Sequence, residues 1–207
     1  MVRNILLFGI AVALLATSAS ASSLVLNGGF TTGDFTNWNN QAWGVDTFPA
    51  DPGTPPSGTT FAAQTGCVGA ACNDPVNGAF ISQTLATVAS QAYTLTFFYD
   101  AGGAGNPDDF ITELDVLWNG SLVTGGQIID AASNTWAEYT FTGLIASGSS
   151  TVLEFTGRQD PADIYLTDIS VTAADSTAPE PASLTLIGGG LLGMGTIGTM
   201  RRRRRQA

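Results

Sequence analysis

Tyr93-Thr94-Leu95-Thr96-Phe97-Phe98-Tyr99 is the stretch on which the fold turns. Read with a period of two, Tyr93, Leu95, Phe97 and Tyr99 share one face. Aromatic and β-branched side chains suit a pleated surface buried on one side, so the stretch predicts a strand with a core face. A helix would scatter these four side chains around its axis.

Working outward, the same alternation recurs. Thr151-Val152-Leu153-Glu154-Phe155 and Ile164-Tyr165-Leu166-Thr167-Asp168-Ile169-Ser170-Val171 read as strands, and Trp136 to Phe141 alternates less cleanly. Leu24 to Leu26, Phe80 to Leu85 and Thr112 to Trp118 are further expected strands. Turn signals punctuate them: Asn27-Gly28-Gly29, Asn77-Gly78, Gly102-Gly103, Asn119-Gly120 and Gly125-Gly126. Asn119-Gly120, between Leu114–Trp118 and Leu122–Val123, predicts a two-residue hairpin. Pro49, Pro52, Pro55 and Pro56 mark a loop near one rim. No window carries a sustained helical stripe. About eight or nine short strands so punctuated predict an all-β fold, a jelly-roll β-sandwich.

Charge narrows the function classes. Residues 22–178 hold sixteen of the seventeen acids against Arg158 alone, a net of −15. Such a field repels phosphate backbones and excludes nucleic acid as a partner. The chain has no His, which removes Ser-His-Asp and Cys-His catalysis and imidazole zinc sites. Carboxylates remain; Glu113 and Asp115 fall on one strand face, yet a domain this acidic satisfies glycosidase spacing by chance. A binding or structural protein is therefore expected ahead of an enzyme. Cys67 and Cys72, five apart around Gly69, suit a local disulfide in an exported chain.

The two ends speak of export. Arg3, an uncharged run from Ile5 to Ala16, and Ala19-Ser20-Ala21 before Ser22 have the form of a secretory signal peptide. At the other end, Pro179-Glu180-Pro181 precedes nineteen uncharged residues, Ala182 to Met200, and then Arg201, Arg202, Arg203, Arg204 and Arg205. As a helix the run would span roughly 28 Å, close to a bilayer core of about 30 Å. Five arginines would hold that end cytoplasmic. This ordered trio resembles the PEP-CTERM sorting signal of bacterial exported proteins. The resemblance implies processing by a membrane-embedded exosortase near Pro-Glu-Pro, transient residence in the inner membrane, and a final place in the envelope or extracellular matrix beside exopolysaccharide. The expected organisation is a signal peptide (1–21), a β-sandwich (22–173), a linker with the Pro-Glu-Pro motif (174–181), a transmembrane sorting helix (182–200) and a cytoplasmic Arg-rich tail (201–207).

A second resemblance lies at the domain's two edges. Leu26-Asn27-Gly28-Gly29-Phe30, with Gly33-Asp34-Phe35-Thr36-Asn37-Trp38 after it, resembles the opening of galactose-binding-like carbohydrate-binding modules. Ile164 to Val171 is similar to their closing strand. The resemblance implies a structural calcium held between opening loop and closing strand. Carried over, Asp168 is the carboxylate ligand, and Thr31 stands where such modules commonly have Glu. For a sugar site, stacking aromatics beside polar groups are wanted. Trp43, Trp118 and Trp136 with Asn39, Asn40 and Gln41 are the candidate parts, of which Trp43 and Trp118 are the chosen aromatics, and Arg158 is the ligand-facing cation, with ion-paired structural Arg158 as the alternative. The expected function is an exported matrix protein whose sandwich binds carbohydrate. A purely structural surface protein is the alternative, and a carboxylate-only glycoside hydrolase comes third.

Overall fold

Phe97 and Phe155 meet edge to face, ring centroids 5.2 Å apart, and the two sheets that carry them make the fold. A computed structural model describes residues 22–47, 54–66, 79–102, 112–129, 135–159 and 162–174. The chain divides into two compact units, Met1–Ala173 and Ala174–Ala207; apart from Ala174, the described residues belong to the first. The expected signal peptide, Cys67 and Cys72, Pro179 to Pro181, and Arg201 to Arg205 lie outside the described residues.

Ten strands are described, and no helix occurs among the described residues. They are β1 (Asn39–Gln41), β2 (Gly44–Thr47), β3 (Phe61–Gly66), β4 (Phe80–Ala86), β5 (Ala92–Asp100), β6 (Glu113–Trp118), β7 (Ser121–Ile129), β8 (Ala137–Ile145), β9 (Ser150–Arg158) and β10 (Asp163–Ala173). One sheet runs β1-β4-β9-β6-β7 and the other β2-β3-β10-β5-β8, with every described pairing antiparallel. The all-β sandwich expected from alternation is thus observed.

The alternation places the core. Tyr93, Leu95, Phe97 and Tyr99 of β5 are all buried and face Leu114, Val116, Leu153 and Phe155 of the opposite sheet. Burying side chains of this size is worth roughly 2 kcal/mol each, which is why these strands stand inside their sheets and not at the ends. The Asn119-Gly120 hairpin forms as read: Trp118 pairs with Ser121, and Asn119 and Gly120 take φ of 53° and 77°. Two positive φ values match the twist of the flanking strands.

Three expectations are corrected. Leu24 to Leu26 does not form a strand; Leu24 N donates to Val171 O, while Leu26 N and O are both bonded by the side-chain amide of Gln83. Gly125-Gly126 is not a turn between strands but lies within β7, as a wide irregularity in which Val116 opposes residues 123–126. Strands β1, β2 and β3 were not foreseen. They are short, and β1 is polar and exposed throughout.

A bulge in β10 ties the first residues of the domain to the last. Register jumps between Thr167↔Phe98 and Ser170↔Thr96, so Asp168 and Ile169 together oppose Phe97. The bulge withdraws Ile169 N from the ladder, and it donates instead to Gly28 O at 3.0 Å. A Cβ at Gly28 would lie 2.0 Å from Ile169 O, a backbone atom that cannot swing aside. Gly28→Ala should therefore cost about 1–3 kcal/mol, lowering Tm by roughly 5–10 °C in thermal denaturation; an unchanged Tm would show that the seam is not tight.

Candidate functional site

Two constructions outside the regular ladders could carry function: a carboxylate clasp at the β10 bulge and a groove between the sheet edges.

The clasp is built on Asp168. As the bulge residue it takes φ 52°, which turns its side chain out of the core while Ile169 and Val171 turn in. Its Oδ1 accepts from Thr59 Oγ1 at 2.5 Å, and its Oδ2 accepts from Ser57 Oγ. Ser57 lies within the turn in which Pro55 O accepts from Gly58 N, so the described end of the Pro-rich loop docks here. Gly29 leaves room for the carboxylate: a Cβ there would lie 3.1 Å from Asp168 Oδ1 and 3.7 Å from Thr31 Cγ2. Thr31 and Asp168 thus both lie against Gly29.

That place does not fit a resident calcium ion. Calcium takes about six to eight oxygen ligands. The side chains gathered here supply one carboxylate, whose two oxygens already accept hydroxyl protons, and Thr31 presents a methyl group toward Gly29. The next acid along the loop, Asp34, is occupied by Thr32 Oγ1 at 2.7 Å and Thr36 N at 2.9 Å. Among the described residues no group of three or more Asp, Glu, Cys or His could hold a metal.

The groove lies between β7 and β8, the last strands of their respective sheets. It is an open cleft of about 490 Å³ lined by Trp118, residues 121–124 and residues 140–145. Trp118 forms its floor: the indole is 8% exposed, and its Nε1 donates across the sandwich to Ile145 O at 2.9 Å. Both walls are shaped by glycine. In β8, Thr142 and Gly143 together oppose Thr94, with Gly143 at φ 73°; in β7, Gly125 sits at φ 74°. Leu122 and Ile145 stand at the rim, about half exposed. None of the eleven lining residues is titratable.

The other expected ligand residues fall elsewhere. Trp43 points inward at 6% exposure, and a Cβ on Gly157 would come within 3.0 Å of its ring, so it packs as core. Arg158 lies near the end of β9 directly opposite Glu113. Trp136, a further candidate for the sugar site, lies beside Tyr165, ring centroids 6.4 Å apart. In the ladder the buried Asp100 pairs with Tyr165, and the exposed Glu138 pairs with Phe98.

No family model matches the sequence, and no curated protein matches it. Solved structures do. The carbohydrate-binding module TmCBM61, in complex with β-1,4-galactotriose, superposes with a TM-score of 0.50 at 14% identity, over 73% of this chain and 99% of that one. The CBM22-1 xylan-binding domain of Paenibacillus barcinonensis Xyn10C gives 0.49 at 15% identity, over 77% and 100%. A Stig cyclase, Fisc from Fischerella sp. TAU, gives 0.45 at 16%, over 76% and 100%. The chain thus has a β-sandwich fold like that of carbohydrate-binding modules.

Three outcomes follow. Asp168→Ala removes the acceptor of two hydroxyl bonds and should cost about 2–4 kcal/mol, seen as a Tm lower by roughly 5–15 °C. EGTA should leave the Tm of the unaltered chain unchanged; a large fall on chelation would contradict the clasp. Stability should also depend on pH. Burial, then the neighbouring Glu113 charge, raises the pKa of Asp115, against a lowering hydrogen bond from Gln127. Burial, then Asp46, raises that of Asp163. A raised folded-state pKa means stability present when protonated and lost as pH rises through it. The contribution of these two carboxyls is therefore full below their ordinary value of 3.8 and is lost as pH rises above it, so Tm at pH 4 should exceed Tm at pH 8, and the reverse order would refute these environments.

Proposed function

We propose that this chain is an exported, exosortase-sorted envelope or matrix protein whose β-sandwich binds carbohydrate in the β7–β8 groove. The observation that carries the binding reading is that groove. It offers an aromatic floor, apolar rims and hydroxyls in a volume suited to a small ligand, within the usual range of about 300–1,000 Å³. The apolar faces of a sugar ring can pack on Phe141 and Leu122 while Thr124, Thr140 and Thr142 meet its hydroxyls. TmCBM61, of like fold, is complexed with a galactose trisaccharide, which supports the ligand class.

Binding without turnover is the reading for Glu113 and Asp115. They stand side by side on β6, and Gln127 Nε2 donates to Glu113 Oε1 at 2.7 Å. A glycosidase pair instead flanks the bond it cleaves, on either side of the sugar. A purely structural matrix role is the second reading, favoured by the burial of both Trp43 and Trp118.

The export half rests on the signal-peptide pattern and on the order Pro179-Glu180-Pro181, apolar run, Arg201 to Arg205. Glu180→Ala, or deletion of Arg201 to Arg205, should leave an unprocessed precursor in the inner membrane, read by immunoblot of cell fractions; processing at the unaltered rate would refute the sorting role. For the domain, the purified full chain should bind the exopolysaccharide of the producing organism in pull-down with or without calcium. Failure to bind any glycan would favour the structural role.

A further inference from the structure

The chemistry of the groove departs from that of the domain around it. Residues 22–178 carry sixteen acids and one Arg, yet none of the eleven residues lining the groove ionises. Among the described acids, Glu113 and Asp115 lie on β6, Asp100 is buried at the end of β5, and Glu138 lies on β8 but is not part of the lining. The groove therefore has no cation with which to pair an anionic ligand. It also has no carboxylate to accept bidentate hydrogen bonds from vicinal hydroxyls. What it presents is hydroxyls on Ser121, Thr124, Thr140 and Thr142, apolar surface on Leu122 and Ile145, and the outward backbone edges of two terminal strands.

We infer, resting on the carbohydrate-binding reading, that the groove selects uncharged saccharides and rejects uronates and sulfated sugars. An anionic sugar would enter the field of a domain at −15, with no lining charge to offset it. At low ionic strength that field reaches across several sugar residues. A neutral sugar meets no such penalty, and its methyl or acetyl substituents would lie against Leu122 and Ile145. These two side chains are 51% and 56% exposed, large apolar surface that a ligand would cover.

An extended peptide is the rival occupant, since terminal strands template strand addition. The bulges oppose it. Thr142 and Gly143 facing one residue, and residues 123–126 facing Val116, break the regular spacing of donors and acceptors that an added strand needs.

The test compares binding of the purified full chain to neutral oligosaccharides (galacto-, xylo- and manno-) and to polygalacturonate and heparin. It is run at pH 5 and 8 and at low and high NaCl. A second chain with Arg201 to Arg205 all changed to Gln removes the basic tail as a source of anion binding. The expected result is binding of a neutral oligosaccharide whose affinity changes less than twofold across pH and salt. Thr142→Trp, which fills the groove, and Leu122→Asp, which charges its rim, should each weaken it at least tenfold. Val88→Asp, on an exposed side chain that is not part of the lining, should leave it unchanged. Binding of the anionic polymers by the Arg-free tail variant, lost in Thr142→Trp, would overturn the neutral selectivity while leaving carbohydrate binding standing. Binding of no saccharide would overturn both. Displacement of a bound saccharide by an unstructured peptide would overturn the argument from the bulges.

Discussion

The bulge at Asp168 is the constraint from which the rest of the structure follows. One extra residue in β10 shifts the parity of the strand, so Ile164 and Leu166 before it and Ile169 and Val171 after it all face the core. The same residue frees Ile169 N to hold Gly28, which seats Phe30 in the core at 0% exposure against Phe35 and Trp38. Gln83, reaching from the other sheet, bonds both N and O of Leu26. The opening segment therefore spans from one sheet to the other without being a strand of either. It is held by backbone groups that the bulge releases and by one side-chain amide.

Irregularities of the same kind shape the opposite side of the sandwich. Gly143 and Gly125 occupy positive φ, where a Cβ carries a steric cost, and both lie in strands that end a sheet. Bulges at a sheet edge protect it from pairing with another chain. Here they also part the walls of a groove whose floor, Trp118, is fixed by its bond to Ile145 O. Edge protection and ligand space come from one device.

Much of this was legible in the sequence, and the misses have physical reasons. Alternation in Tyr93 to Tyr99 marked the core face of β5, and Asn119-Gly120 fixed a hairpin because few other dipeptides tolerate two positive φ values. The bulges were legible too, though not read. Ile164, Leu166, Ile169 and Val171 slip by one residue from strict alternation, as do Tyr139, Phe141 and Leu144. β1 and β2 carry little apolar signal because they lie at the ends of their sheets, and β3 buries two adjacent alanines rather than alternating. The groove escaped for a different reason. Its walls belong to different sheets, and its chemistry is an absence of charge, which no motif announces. Trp118 was singled out as a stacking platform; the fold uses it as a floor.

The central claim is that an uncharged groove between β7 and β8 receives the ligand. Amide hydrogen exchange of the full chain, with and without a saturating neutral oligosaccharide, tests it most directly. The account predicts added protection confined to residues 118–124 and 140–145. Protection centred instead on residues 136–138 and 163–167, around Trp136 and Tyr165, or no protection anywhere at saturation, would contradict it.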